Sequence, residues 1–368
     1  MSPPSRWEVG SAFPLVLPAE GRRIDAPDGW RLFGSGRQAL TALLDFGRRK
    51  FGWKRVNVPT YYCPEVVTSI TGVLPVRRYA AGPTVEGESP VPDPGDVVIT
   101  VSYFGAAPPV WSTTGSASII DATHDPLAPW LHQLKADYVF ASLRKTLPLP
   151  DGGAVWSSNQ RELPPDTPPT AEHMATVGTI LSAMSLKAAY LSGACVDKDV
   201  YLSLYATGED GLRSRQVSGI SDYSRQALGI LPASELRRRR IDNACVLGSL
   251  LASLEGVTVH SHTFGVVLEY DSPDVRDLVR RGLIERHVYP AVLWSHSPEL
   301  DLPNRRACFS RRMLFLHTDF RWNRHDVERV AAIARAATER SMLTIVGRCG
   351  SSSAINPAPT PRTAASPC

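Results

Sequence analysis

The sequence, 368 residues long, contains no run of about 18 uninterrupted apolar residues, the length that a helix needs to span a bilayer. Residues 1–25 also lack a basic start followed by an apolar core, so no secretory signal is expected. Neither sign of charge predominates, since 36 acidic residues offset 40 basic ones and leave a formal net charge of +4. These features argue against a membrane or a nucleic acid as a partner.

Cysteine is sparse, and its spacing argues against a disulfide framework and a zinc site. The six cysteines form no C-x-x-C pair; they are Cys63, Cys195, Cys245, Cys308, Cys349 and Cys368. In a chain of this length they are interpreted as free thiols in a reducing compartment, so a cytoplasmic location is predicted. His260 and His262 would face one side of a strand, but no third ligand has suitable spacing, so no metal site is predicted.

What the chain does contain is typical of a soluble globular protein with about two domains, because hydrophobic residues make up 43% and charged residues 21%. We expect a proline-rich N-terminal arm at 1–26, a large domain at 27–235, a small C-terminal domain at 236–340 and a disordered tail at 341–368. The tail is rich in Ser, Pro, Ala and Thr and shows no periodicity.

Strand and helix patterns alternate through the large domain. Residues 96–103 form a nearly continuous β-branched run, which suits a strand buried on both faces of a parallel sheet. Shorter strands are predicted at 55–58, 73–79, 118–121, 138–142 and 153–156. A helical region at 171–254 precedes a β-α-β-α pattern, in which 257–270 alternates like a strand. The sequence therefore predicts an α/β fold: a large domain with a mostly parallel central sheet flanked by helices, plus a smaller C-terminal α/β domain.

Two segments carry polar groups suited to a charged ligand. Gly34-Ser35-Gly36-Arg37 precedes a predicted helix whose free N–H groups suit a phosphate; a plain helix N-cap is the alternative. Asp121 ends an apolar strand, where a buried carboxylate needs a partner. That partner is either the protonated nitrogen of a heterocycle or, as the alternative, an ordinary N-cap or salt bridge.

A third segment, Ser142-Leu143-Arg144-Lys145, lies on a tight turn after a buried strand. Desolvation there would lower the pKa of Lys145 and make it an amine nucleophile. The hydroxyl of Ser142 could donate a hydrogen bond to a phosphate from the same turn. A solvated basic loop is the alternative. Together, the phosphate cup, the acidic strand end and the lysine match what pyridoxal 5'-phosphate requires, because its phosphate, ring nitrogen and aldehyde each gain a partner.

On these residues the chain resembles the fold-type-I pyridoxal-phosphate enzymes, and within them the DegT/StrS-like aminotransferase family. The motifs that carry the resemblance are Glu8-Val9-Gly10-Ser11-Ala12-Phe13, Gly34-Ser35-Gly36-Arg37-Gln38-Ala39-Leu40, Val58-Pro59-Thr60-Tyr61-Tyr62-Cys63, Tyr103-Phe104-Gly105, Asp121-Ala122-Thr123-His124, Ala141-Ser142-Leu143-Arg144-Lys145, Asp151-Gly152-Gly153 and Leu316-His317-Thr318-Asp319-Phe320-Arg321-Trp322. The resemblance implies a homodimer with active sites at the subunit interface.

The resemblance also implies roles for single residues at the coenzyme. Lys145 would form the aldimine with the coenzyme and move the proton, Asp121 would pair with the pyridinium nitrogen, and His124 would support the orientation of Asp121. The residues implied to hold the phosphate are Gly36, Arg37 and Ser142, with Ser35 nearby.

An aromatic side chain normally stacks on the coenzyme ring in such enzymes. Tyr62 is preferred for this place over Tyr61, although Cys63 occupies the strict position. Ser102 and Tyr103 stand where the family often has a polar side chain near the ring hydroxyl. Ser102 is shorter than the usual amide, so that contact is either lost or made through water.

Three residues are candidates for binding the substrate. Tyr289 and Trp294 would line a substrate pocket, with a place in the hydrophobic core as the alternative. Arg321 either grips a substrate carboxylate by a bidentate pair or pairs within the protein with Asp319 or Asp326.

Two basic segments lie in the helical region. Ser224 and Arg225 would reach the phosphate bound by the partner subunit, with a plain surface helix as the alternative. Arg237-Arg238-Arg239-Arg240 looks like a nucleic-acid patch, but a solvated helix face is the favoured interpretation.

The function implied is that of a biosynthetic aminotransferase. It would move an amino group from an amino acid, glutamate by default, to a keto sugar or to a carbonyl intermediate of specialised metabolism. Two alternatives remain open: a pyridoxal-phosphate enzyme of another reaction class (racemisation, elimination or carbon–carbon bond formation) and a non-catalytic regulatory or binding protein on the same fold.

Overall fold

The computed structural model describes residues 6–10, 12–16, 29–83, 89–109, 115–294 and 309–351. Its strands, in chain order, are β1 (Val9–Gly10), β2 (Arg31–Phe33), β3 (Arg55–Pro59), β4 (Val76–Tyr79), β5 (Asp96–Val101), β6 (Ala117–Asp121), β7 (Tyr138–Ser142), β8 (Gly153–Trp156), β9 (Val257–Ser261), β10 (Gly265–Tyr270), β11 (Val288–Tyr289) and β12 (Met313–His317). Its helices are α1 (Gly36–Phe51), α2 (Pro64–Ile70), α3 (Ala171–Leu191), α4 (Lys198–Gly211), α5 (Asp222–Ile230), α6 (Ala233–Leu251), α7 (Pro273–Ile284), α8 (Phe309–Arg312) and α9 (Arg324–Ser351).

Seven strands form the main sheet, in the order β2-β8-β7-β6-β5-β3-β4. Five neighbouring strands, β3 to β7, run parallel to one another. β8 is antiparallel to both β7 and β2. The register sets Val101 beside Asp121 and Asp121 beside Phe140. The carboxyl ends of β5, β6 and β7 therefore meet at one edge, where open α/β sheets bind their ligands. The predicted α/β fold with a mostly parallel central sheet is confirmed.

Both faces of the main sheet are covered. All six residues of β5 are buried, as its β-branched sequence predicts. On one face, α1 packs Leu40, Leu43 and Leu44 into a cluster that includes Ile119 of β6. The next residue, Ile120, belongs to a different cluster, because successive side chains of a strand point to opposite faces.

A second sheet, in the order β12-β10-β9, is antiparallel throughout. The sequence predicts one strand over 257–270, and this is wrong: His262 N–H donates to Gly265 O (2.9 Å) and closes a hairpin. A hydrophobic cluster joins this sheet to α6, α7 and α9; among its members are Leu247, Leu268, Val279 and Val330. The division of the chain into domains at 27–235 and 236–340 stays a prediction.

The last helix is longer than the sequence indicates. α9 continues to Ser351, so the prediction of a disordered tail is wrong for residues 341–351. The helix continues because Ser341 is still buried, with its hydroxyl donating to Ala337 O (2.7 Å). Residues 352–368 lie outside the described part of the chain.

The N-terminal segment is tied to three distant parts of the chain. β1 pairs with β11 in parallel. The carboxylate of Glu8, only 5% exposed, pairs with Lys187 Nζ of α3 (2.9 Å) and with Lys198 Nζ of α4 (2.6 Å). Phe13 stacks on Phe320, with 5.6 Å between the ring centroids. These contacts fix the segment at the carboxyl edge of the main sheet, beside the site described next.

Judged by length and composition alone, α3 is a helix of the described residues that is long and apolar enough to cross a membrane. Its mean hydropathy is 1.2. Its apolar character is interrupted by two buried polar side chains. His173 contacts Asp151, and Lys187 contacts Glu8. The absence of a membrane partner therefore stays a prediction.

Candidate active site

A cavity of about 710 Å³ opens at the carboxyl edge of the main sheet. The predicted site residues that line it are Ser35, Gly36, Arg37, Ser102, Asp121, His124, Ser142, Lys145 and Trp294. The other predicted site residues have side chains that lie elsewhere; these are Tyr62, Tyr103, Ser224, Arg225, Tyr289 and Arg321. The sequence motifs from three strand ends and one helix start are thus brought around a single cavity.

Lys145 ends the 3₁₀ turn Leu143–Lys145 that follows β7, and its side chain is exposed toward the cavity. Within the described residues, its Nζ has neither a hydrogen-bond nor an ion-pair partner. The positive charge of Arg144, together with the enclosure of the amine by protein, lowers the pKa of Lys145 to about 8. Arg144 is held by Glu209 of α4, with 2.5 Å between Nη2 and Oε2. Such a lysine is suited to act as an amine nucleophile.

Asp121, at the end of β6, is a buried carboxylate that accepts hydrogen bonds from Tyr62 and Thr123. Tyr62 Oη donates to Oδ2 (2.8 Å), and the Thr123 N–H donates to Oδ1 (2.9 Å). Burial raises the pKa of Asp121, although the hydrogen bonds from Thr123 and Tyr62 oppose that shift. No cationic side chain of the described residues pairs with it, so the carboxylate would favour a protonated nitrogen placed in the cavity.

The start of α1 forms a tight cradle beside these residues. Ser35 is the N-cap, and its Oγ accepts from the Gln38 N–H (3.3 Å). A Cβ added to Gly36 would lie 2.7 Å from Ser142 Cβ, so only glycine lets the first turn of α1 approach the end of β7 this closely. The free N–H groups of that turn and the hydroxyl of Ser142 are suited to hold a phosphate.

Arg37, predicted to hold a phosphate, has a protein partner. Its Nη1 lies 2.9 Å from Glu65 Oε2, and its Nη2 donates to Leu212 O (3.2 Å). Arg213 contacts the second oxygen of the same carboxylate at 2.8 Å. Arg37 and Arg213 therefore share the single carboxylate of Glu65 at the cavity wall.

An aromatic wall closes the cavity on the side of the second sheet. The ring of His124 stacks on Phe264, with centroids 4.4 Å apart, and on Trp294 at 5.8 Å. Burial lowers the pKa of His124 to about 3, so the imidazole is neutral and its Nδ1 accepts from the Phe104 N–H (2.9 Å). The prediction that His124 orients Asp121 is corrected, since Tyr62 and Thr123 do so.

The preference for Tyr62 as the ring-covering side chain is wrong. Tyr62 is completely buried and its hydroxyl is directed at Asp121, so it does not face the cavity. Cys63 does line the cavity, and burial raises the pKa of its thiol, which therefore stays protonated. Tyr103 Oη donates to the carbonyl of Tyr61, away from the cavity. Ser102 does line it, with its hydroxyl donating to Ala106 O (2.8 Å).

The predicted reach of Ser224 to a partner's phosphate is also wrong. Ser224 is fully buried, and its hydroxyl donates to the carboxylate of Asp151. Asp151 also accepts from the Ser221 N–H (2.8 Å) and lies 2.8 Å from His173 Nε2, so it joins the starts of α3 and α5 to the turn before β8. Arg225 is exposed on α5, and its role stays a prediction.

Two of the three residues predicted to bind the substrate make contacts within the protein instead. Tyr289 Oη accepts from Lys198 Nζ (2.8 Å) and does not line the cavity. Arg321 forms an ion pair with Asp319, the alternative that the sequence left open. Trp294 lines the cavity beside His124.

The arginine run of α6 is not uniformly solvated, so that interpretation is corrected. Arg237 makes a bidentate pair with the buried carboxylate of Asp125, both distances being 2.8 Å. Arg240 is buried and also contacts Asp125 (3.4 Å). Arg238 and Arg239 are exposed, and each pairs with Glu235.

Several cavity residues escaped the sequence reasoning. The sequence assigns no role at the cavity to the carboxylates of Glu65 and Glu209, to the ring of His317 or to the cluster formed by Arg240 with Asp125. Thr123 could have been found, because it lies inside the Asp121 motif and its N–H and hydroxyl contact Asp121 and Ser142 N–H.

No family model and no curated protein matches the chain. Solved structures are similar in fold. TlmJ, an aminotransferase from Streptoalloteichus hindustanus, is 14% identical with a TM-score of 0.52, over 91% of this chain and 100% of that one. The sugar aminotransferase CalS13 from Micromonospora echinospora is 11% identical with a TM-score of 0.51, over 87% and 100%. The PMP form of Spr1654 from Streptococcus pneumoniae, assigned as a sugar aminotransferase, is 14% identical with a TM-score of 0.53, over 86% and 88%.

Proposed function

We propose that the protein is a pyridoxal-phosphate-dependent aminotransferase, with an amino acid as donor (glutamate by default) and a carbonyl compound as acceptor. One arrangement carries the proposal: Lys145 and Asp121 line the same cavity, and neither forms an ion pair within the described residues. The fold shared with aminotransferases, and the PLP and PMP forms solved for Spr1654, support it.

The residues of the cavity fit this coenzyme at each of its polar groups. The cradle of Gly36 and Ser142 suits the phosphate, since a side chain at residue 36 would collide with Ser142. Asp121 suits the ring nitrogen, and Lys145 suits the aldehyde. When bound, the coenzyme supplies an electron sink for the carbon that carries the amino group.

The chain's own residues would then hold and move protons. A pKa of about 8 leaves part of Lys145 as the neutral amine near pH 7, so its Nζ would hold the aldehyde end of the coenzyme and could accept or return a proton beside it. Asp121 keeps a proton on the ring nitrogen, because its buried carboxylate gains a cationic partner there. The neutral His124 has its Nε2 proton available for an acceptor in the cavity.

The test is to load the purified protein with pyridoxal phosphate, reduce it with borohydride and map the labelled peptide. We expect the label on Lys145, and glutamate should bleach the visible band of the unreduced protein and release 2-oxoglutarate. Lys145→Ala should carry no label, whereas Lys135→Ala, which removes an exposed lysine outside the cavity, should label as the wild type does.

Other outcomes separate the alternatives. A label on Lys145 without conversion by any amino acid would favour another reaction class, and an unlabelled Lys145 would favour a non-catalytic binding protein. The homodimer stays part of the proposal, and light scattering of the purified protein would test it.

A further inference from the structure

The cavity has an apolar end as well as the reactive end. We call this the apolar lobe and define it by Phe13, Leu149, Ile180, Met184 and Phe320, all of which line the cavity. Four of the five side chains are at least 94% buried, and Phe13 stacks on Phe320. The lobe is therefore a tightly packed hydrocarbon part of the cavity wall, and an apolar ligand group that contacts it would gain from leaving water.

Polar groups that border the lobe are already engaged within the protein. Tyr205, which also lines the cavity, donates its hydroxyl to Phe13 O. The backbone carbonyl of Ala12 accepts from Lys187 Nζ (2.8 Å). A ligand that enters the lobe thus meets carbon atoms and few free hydrogen-bonding groups.

One helix, α4, contacts both the lobe and the turn that carries Lys145. Glu209 of α4 binds Arg144, the residue before Lys145. The preceding residue, Gly208, packs so closely on Ile180 that an added Cβ would lie 2.3 Å from Ile180 Cγ1. A substrate whose carbonyl reaches Lys145 can therefore extend along this wall into the lobe.

The charges of the cavity disfavour a nucleotide-linked substrate. A diphosphate needs cationic partners, preferably arginines. Within the described residues, each arginine that lines the cavity already contacts a carboxylate: Arg37 contacts Glu65, shared with Arg213; Arg144 contacts Glu209; and Arg240 contacts Asp125, shared with Arg237. Within that part of the chain Lys145 forms no ion pair, and the proposed reaction requires it.

We infer that the acceptor carbonyl compound bears an apolar alkyl or aryl group, which the apolar lobe binds, rather than a nucleoside diphosphate. The inference rests on the proposed function and narrows its acceptor to one class. It also makes Ile180 and Met184 specificity-determining residues, since their side chains set the depth of the lobe.

The experiment converts the holoenzyme to its amino form with glutamate and then supplies methyl ketones of increasing chain length. We expect kcat/KM to rise about fourfold per methylene until the lobe is filled and then to fall. A nucleoside-diphosphate keto sugar should react at least about tenfold more slowly than the best ketone, a difference of about 1.4 kcal/mol. Equal rates along the series, or a preference for the keto sugar, would overturn the inference.

Variants place the effect in the lobe. Met184→Phe should shorten the preferred chain, and Met184→Ala should lengthen it. Met174→Phe is the matched control, because Met174 lies on the same helix but is 38% exposed and outside the cavity. An unchanged chain-length optimum in both Met184 variants, with circular dichroism showing them folded, would refute the assignment.

A binding measurement separates this inference from the proposed function. Straight-chain primary alcohols are titrated calorimetrically into the protein as purified, with and without added pyridoxal phosphate. We expect Kd to fall as the alcohol lengthens, with a negative heat-capacity change. If glutamate fails to convert the holoenzyme while this trend holds, the proposed function fails and the apolar lobe stands; if conversion succeeds while the trend is absent, the lobe fails alone.

Discussion

Lys145 and Arg144 are adjacent in sequence, and that adjacency sets the pH range in which the amine reacts. The charge of Arg144 is the largest influence that lowers the pKa of Lys145 to about 8. The neutral amine should therefore form, and the coenzyme should be taken up faster, as the pH rises through about 8.

We predict that Arg144→Gln moves the midpoint of this rise upward, toward the ordinary lysine pKa of 10.5. The measurement is the rate of borohydride-trapped labelling across a pH series. Arg144→Lys, which keeps the charge, should retain the midpoint near about 8. A midpoint that does not move in the glutamine variant would contradict the role of Arg144.

Tyr62 donates a hydrogen bond to Asp121, the residue proposed to bind the coenzyme ring. We predict that Tyr62→Phe weakens pyridoxal-phosphate binding about tenfold or more, because a hydrogen bond to a charged group contributes about 1.5–3 kcal/mol. Fluorescence titration gives the Kd. Tyr138→Phe removes another buried hydroxyl, which donates to Glu162 O (3.1 Å) outside the cavity, and should leave the Kd unchanged. Equal weakening in both variants would mean that general loosening, not Asp121, is responsible.

At this scale the sequence predicts residues that sit at strand ends and misses those that depend on distant pairing. Asp121, Ser142 and Lys145 are predictable because parallel strands bring their carboxyl ends together. Glu209 and Arg144 are 65 residues apart, and nothing in either local sequence indicates that they meet. The direction of Tyr62 was missed for the same reason, since a strand end does not reveal which of two successive aromatic side chains turns inward.

Among the elements, α6 shows how one run of identical residues divides between two environments. The side chain of Arg240 is 7% exposed and contacts Asp125, whereas that of Arg239 is 58% exposed and pairs with Glu235. The helical period explains the division, because residues three apart, such as Arg237 and Arg240, share the inward face.

We predict that Arg240→Ala lowers the free energy of unfolding by about 1.5–3 kcal/mol, because it removes one of the two arginines that contact the buried carboxylate of Asp125 and leaves Arg237. Arg239→Ala should change it by less than about 0.5 kcal/mol. Urea unfolding of both variants is the measurement. Similar losses in the two would show that the whole run is equivalent, as the solvated-face interpretation requires.

Long or strongly patterned elements were predictable, and very short ones were not. β5 follows from its β-branched run. β2 and β11, with three and two residues, carry too little pattern to be recognised. The β9–β10 hairpin was missed because its turn follows the polar residues His262 and Thr263 without a proline or an Asn-Gly pair, and the glycine at residue 265 already begins the second strand.

For the molecule as a whole, the N-terminal segment contacts both β11 and Phe320, and the carboxylate of Glu8 ties it to α3 and α4. Burial pushes the pKa of Glu8 up, but Lys187 and Lys198 outweigh it and hold that pKa below its ordinary value of 4.5. The group therefore contributes stability above about pH 4.5, and this contribution is lost as the pH falls through its lower pKa in the folded protein.

We predict that Glu8→Gln lowers the free energy of unfolding by about 3 kcal/mol near neutral pH, since it leaves two lysines with an uncharged partner. The difference from the wild type should shrink below about pH 4.5. Urea unfolding at several pH values gives both quantities. Glu255→Gln, at an exposed turn, is the control, and a pH-independent difference would refute the electrostatic role of Glu8.

The pairing of the first strand with a late one has a consequence for synthesis. Gly10 lies beside Tyr289, and Phe13 stacks on Phe320, so the contacts of this segment form only after residues 289 and 320 have been made. The nascent chain exposes Lys145 long before these residues leave the ribosome. A chain that stops before residue 320 would therefore contain Lys145 but lack Phe320, on which Phe13 stacks at the cavity.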